Sequence, residues 1–85
     1  MSRLKTTLID IASALVDNPD EISVVEIEKD NDNVILKLSV ADGDMGKVIG
    51  RHGRIAKAIR VVMKAAANAE GKKVTVDIEN REDED

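Results

Sequence analysis

The chain has 85 residues, enough for one small domain around a single core. It contains no cysteine, which excludes disulfides, thiol nucleophiles and cysteine-ligated zinc, and no aromatic residue, which excludes modules that stack bases on Phe, Tyr or Trp. Its formal net charge of −4 gives no sign, taken as a total, of a polyanionic ligand.

In chain order, Leu4, Leu8, Ile11, Ala12 and Leu15 stand at helical spacing, with Lys5, Asp10 and Asp17 elsewhere on the wheel. They predict an amphipathic helix from about residue 3 to 16. Asp10 interrupts any continuous apolar run, so neither a signal peptide nor a membrane span is expected and the expected location is the cytoplasm. Asn18-Pro19-Asp20 stops the helix. From Ile22 to Glu28 the residues are largely β-branched and predict a strand. The neighbours Val24 and Val25 break strict alternation, which predicts a bulge or burial on both faces. Asp30-Asn31-Asp32-Asn33 reads as a turn. Beyond it Val34, Leu36, Leu38 and Val40 alternate with Ile35, Lys37 and Ser39 as the second strand of a hairpin.

Asp42 or Asp44 is expected to cap a short helix carrying Gly46 to Ile49. A second long helix runs to about Ala69, with Gly71 ending it. In the last strand Val74, Val76 and Ile78 face the core while Thr75, Asp77 and Glu79 face water. The order αββααβ predicts an α+β domain over residues 1–80, a three-stranded sheet covered by helices on one face. Glu82-Asp83-Glu84-Asp85 is expected to be an acidic, disordered tail.

The most informative stretch is Met45 to Lys64, MGKVIGRHGRIAKAIRVVMK. Met45, Val48 and Ile49 before the tetrad Gly50-Arg51-His52-Gly53, and Ile55, Ile59, Val62 and Ala66 after it, mark two helices that meet across two glycines. Gly50 is suited to a positive φ that ends the first helix. Gly53, lacking a Cβ, lets a ligand's backbone approach the N–H groups at the head of the second. Six of the chain's 13 basic residues (Lys47, Arg51, Arg54, Lys57, Arg60 and Lys64) fall between positions 45 and 69, where no acidic residue occurs. All 17 acidic residues lie elsewhere, so the local charge is the footprint of a polyanion that the total conceals. Lys47, Arg51, His52 and Arg54 are candidate phosphate or base contacts; Lys57, Arg60 and Lys64, at i, i+3 and i+7, read equally well as a solvated helix face. Gly46, inside a helical pattern, costs about 1 kcal/mol relative to Ala and reads as close helix packing or a ligand contact.

Enzyme readings fail on parts. Gly46-Lys47 is followed by Val48 rather than the hydroxyl of a P-loop, and Val34 and Ile35 occupy positions where a calcium loop continues its pattern. His52 is the only histidine, which leaves a metal site or catalytic triad without partners. No acidic residue stands beside a nucleophile in the glycine region.

The run Val48-Ile49-Gly50-Arg51-His52-Gly53 resembles the hallmark of the K-homology (KH) RNA-binding domain. The hallmark's closing isoleucine falls one residue early, at Ile55, with Ala56 in its usual place. The element order is that of the second topological type of KH domain. With LVDNPDEI closing the first helix and DMGKVIGRHGRIAKAIR following, the chain resembles the small bacterial single-domain KH family of KhpA over roughly residues 4 to 79. The resemblance implies a non-catalytic binder of single-stranded RNA, without a cofactor. Lys47, Ile49, Gly50, Arg51, His52, Gly53, Arg54, Ile55 and Lys57 would form its site, bases lying in an aliphatic groove bordered by Ile49 and Ile55. It further implies a homodimer, a heterodimer with a larger KhpB (Jag/EloR) type protein, and an RNA chaperone's role in cell elongation and cell-wall homeostasis. Two other classes stay open. Helices around a tight turn also describe a helix-turn-helix that binds duplex DNA. A dimerisation or adaptor module is the other, with Ile22, Val24 and Ile35 on the outer sheet face as its contact.

Overall fold

The first helix, α1, spans Arg3–Leu15 in the computed structural model, which describes residues 2–79. Ser2 is its N-cap: the Oγ accepts the Lys5 N–H at 3.1 Å, satisfying one of the donors a helix start leaves open. Leu4, Leu8 and Ala12 are buried, so the apolar stripe expected from spacing faces the core. A single turn over Pro19–Glu21 follows, proline at its head.

Strands β1 (Ser23–Glu28) and β2 (Asn33–Ser39) pair antiparallel in unbroken register from Ser23–Ser39 to Glu28–Val34. Neither of the two expectations for Val24 and Val25 holds. The register leaves no room for a bulge, and Val25 is 52% exposed while Val24 is buried, so the strand alternates normally with one face open. The Asp30 carboxylate closes the hairpin turn by accepting the N–H groups of Asp32 and Asn33 at 2.8 and 2.9 Å.

Strand β3 (Lys73–Glu79) pairs with β2 in parallel, giving the order β1-β2-β3 with β2 central. Parallel pairing demands a crossover, and the crossover carries α2 (Met45–Ile49) and α3 (Arg54–Ala69) across one face of the sheet. The α3 helix ends in a paired motif: Lys72 N–H reaches Ala67 O at 2.8 Å and Gly71 N–H reaches Asn68 O at 3.0 Å, with Gly71 at φ +71°. The result is the α+β architecture expected, with Leu8, Leu36, Leu38, Val40, Val48 and Met63 at the centre of the core.

Two expectations are corrected here. The fully buried stripe of α3 is Ala56, Ile59, Met63 and Ala67; of the stripe expected, Ile59 is buried, Ile55 and Ala66 are partly buried against the core, and Val62 is 50% exposed. On the sheet, Val24 points into the core and Ile22 packs against it, so the open face displays Val25, Ile27 and Ile35 instead. The acidic tail lies outside the described residues. No helix of the described residues is long and apolar enough to cross a membrane.

Candidate functional site

The five-residue α2 ends because Gly50 takes φ +76° and ψ 171°, a conformation essentially reserved for glycine, while its N–H still closes onto Gly46 O at 2.8 Å. A Cβ on Gly50 would lie 2.6 Å from Ile55 Cγ1 and 2.9 Å from both Ile55 Cβ and Ile55 N, so the residue is fixed by packing as well as by conformation. The chain then turns tightly, Gly53 N–H donating to Gly50 O at 3.1 Å. His52 (φ 58°, ψ 24°) and Gly53 (φ 73°, ψ 17°) are both left-handed. Sequence reasoning assigned positive φ to Gly50 and open approach to Gly53; both glycines have positive φ, and a Cβ on Gly53 would meet nothing within 4 Å. Gly53 is the N-cap of α3 and supplies no side-chain acceptor; the Arg54 N–H that follows is taken by Arg51 O within the turn.

Arg51, His52, Arg54 and Lys57 are exposed around this opening, and none makes an ion pair with a described residue. Lys47 differs from them. Its Nζ lies 3.0 Å from Asp17 Oδ2 and 3.6 Å from Asp44 Oδ1, and its pKa is raised, first by the hydrogen bond to Asp17 and then by that residue's charge. Arg60 is also engaged, its Nε donating to Val76 O at 3.0 Å and so tying α3 to β3. Gly46 is exposed with nothing near its absent Cβ, so close helix packing does not explain it.

Asp44 has a role that spacing did not reveal. It makes no side-chain cap to α2. It is 1% exposed, and its carboxylate accepts from the backbone N–H groups of Asp17 (3.2 Å) and Asn18 (2.9 Å) and from the Asn18 amide (3.1 Å). Burial opposes its charge, but those donors and Lys47 outweigh burial, and the carboxyl titrates below its ordinary value. The turn after α1 is thereby fastened to the start of α2. The one available sequence signal is that Asp44, unlike Asp42, stands three residues before a lysine.

The two apolar members of the expected site differ in setting. Ile55 turns under Gly50 towards α1 and lines a hollow of about 250 Å³ with Ile11, Leu15, Ala58, Ile59 and Val62. Ile49, at 36% exposure, is no part of its wall.

A family model described as KhpA/KhpB, KH domain, matches residues 5–78. The chain is similar to a curated relative named RNA-binding protein KhpA from Clostridium acetobutylicum, 56% identical over 75 residues, which cover 88% of this chain and 99% of that protein. A relative of the same name from Bacillus subtilis is 45% identical over 75 residues, 88% of this chain and 91% of that protein. Another from Aquifex aeolicus is 42% identical over 78 residues, 92% and 98% respectively.

Proposed function

The chain belongs to the KhpA/KhpB KH-domain family, and on that premise we propose that it binds single-stranded RNA, gripping the backbone of about four nucleotides at Gly50 to Gly53. The observation that supports this most is the contrast among its cations. Arg51, Arg54 and Lys57 surround the open left-handed turn without protein partners among the described residues, whereas Lys47 is held by Asp17 and Asp44. The head of α3 adds the positive end of its helix dipole to the same place. Three such cations neutralising three phosphates correspond to a salt slope of about −2, since each contributes about −0.7 on a single strand. With no aromatic residue in the chain, bases would meet aliphatic walls, and Ile49 and Ile55 are the nearest to the turn.

A helix-turn-helix reading has less support. Five residues of α2 rise only about 7.5 Å, too little to lie across a duplex backbone. Self-association has a specific observation behind it, because the half-exposed Val62 lines the apolar hollow between α1 and α3. The family carries the wider reading: a homodimer or a heterodimer with a KhpB (Jag/EloR) type protein, serving as an RNA chaperone in cell elongation and cell-wall homeostasis.

The test is fluorescence anisotropy on an end-labelled single-stranded RNA, with duplex DNA of equal length as competitor. An Arg51→Asp, His52→Asp double variant should lose binding while its far-UV circular dichroism stays native. A folded double variant that binds like the wild type removes the turn from the site.

A further inference from the structure

At 100° per residue, α3 divides into three faces. Ala56, Ile59, Met63 and Ala67 face the core, and Ile55, Ala58 and Val62 line the apolar hollow beside α1. Lys57, Arg60, Lys64 and Asn68, at i, i+3, i+7 and i+11, form the opposite flank. That flank runs along the free edge of the sheet, since β3 is an outer strand and Arg60 Nε holds Val76 O at 3.0 Å. The seam ends in a second hollow of about 410 Å³ between the end of α3 and the start of β3, lined by Lys64, Asn68, Lys73 and Val74. Unlike the hollow beside α1, its lining includes polar side chains.

Neither Lys64 nor Lys73 makes an ion pair with a described residue. Asp32 reaches Lys73 through its backbone, its carbonyl accepting the Lys73 N–H at 2.7 Å, and Glu70 is exposed beyond the end of α3. Two unpartnered ammonium groups and an amide that both donates and accepts suit a phosphodiester with its sugar hydroxyl. From Arg54 to Asn68 the helix rises about 21 Å. A strand gripped at the tetrad therefore meets Lys57 and Arg60 along the seam before it reaches the hollow.

We propose that the hollow formed by Lys64, Asn68 and Lys73 is a second phosphate site for the same RNA strand, extending the footprint beyond the four nucleotides held at the turn. The inference rests on the RNA-binding reading above and adds a length dependence to it. Affinity and its salt slope are measured for RNAs of about four and about twelve nucleotides, a range of site sizes typical of single-strand binders. For the wild type the longer RNA should show a slope steeper by about 1.4, two phosphates at about 0.7 each. A Lys64→Glu, Lys73→Glu variant should lose that increment and leave the short RNA's affinity unchanged, and amide shifts of Asn68 and Lys73 should follow only the longer RNA. An Arg3→Glu, Lys5→Glu variant, with the same charge change on the first turn of α1, is the control. A long-RNA slope unaltered in the first variant, or lowered equally in the control, overturns the second site. If the short RNA still binds through the tetrad in either case, only this inference has failed; if the wild type binds neither RNA, the RNA-binding reading falls as well.

Discussion

Replacing each tetrad glycine by alanine separates the steric role of one from the open role of the other. Gly50 occupies a glycine-only region, where another residue costs about 1–3 kcal/mol. Its added methyl would lie 2.6 Å from Ile55 Cγ1, which can rotate aside, but also 2.9 Å from Ile55 Cβ and N, which cannot. Overpacking of that kind adds about 1–3 kcal/mol. The combined loss of about 2–6 kcal/mol is a large share of the 5–15 kcal/mol, roughly, that holds a small domain folded. Gly53, at φ 73° and ψ 17°, sits in the left-handed helical basin, which alanine enters for about 1–2 kcal/mol, and its methyl meets nothing. Far-UV circular dichroism during urea or thermal unfolding is the assay, because the chain has no aromatic fluorophore. Gly53→Ala should remain folded and melt lower by about 4–8 °C per kcal/mol lost, yet bind RNA more weakly, because the methyl enters the space a strand must occupy. Gly50→Ala should be clearly the less stable of the two. Equal losses for both, or a Gly50→Ala protein within about 1 kcal/mol of wild type, refute the packing argument.

Three further outcomes follow from named contacts. His52 is the one non-glycine residue at positive φ among those described, so His52→Val should cost about 1–2 kcal/mol while His52→Asn, a residue tolerated there, stays near neutral; a tolerated valine would show that the turn relaxes. Asp44 is held below its ordinary carboxylate pKa, so its contribution to folding is fully present above about pH 4 and is lost as the pH falls through the lower folded value. Urea titrations over that acid range should show part of the loss in wild type and less of it in Asp44→Asn, the remainder including Asp30, whose pKa is lowered by its bond from the Asp32 N–H. Sedimentation should give a smaller mass for Val62→Lys than for wild type if the α1/α3 flank is the self-association surface, and for Ile35→Lys if the open sheet face is; unchanged mass in both excludes both faces.

What the sequence made legible was local. Val34, Leu36 and Leu38 alternate with Ile35 and Lys37 because β2 is covered on one face only, and Gly50 and Gly71 mark helix ends where the backbone must turn left-handed. Spacing places the α3 stripe about one residue off the fully buried line, because Ile55, Val62 and Ala66 share the helical period with Ala56, Met63 and Ala67. The electrostatic partners were out of reach for a different reason. Lys47 meets Asp17, Arg60 meets Val76, and Asp44 meets Asn18, each a separation that only the tertiary fold closes. The tight glycine turn itself is legible in the sequence, and Arg51, His52, Arg54 and Lys57 are exposed beside it. The diversion of Lys47, and the turn of Ile55 towards α1, become visible only in three dimensions.

The parallel pairing of β2 with β3 has a consequence for when binding competence arises during synthesis. The strand that locks α3 in place is the last of the described elements to leave the ribosome, so a nascent chain holding α1, the hairpin and the tetrad still lacks the edge on which Arg60 rests. Non-local pairing is slow to form because its closure entropy comes before its contacts. A half-made chain therefore carries the glycine turn without a fixed frame behind it until β3 has docked.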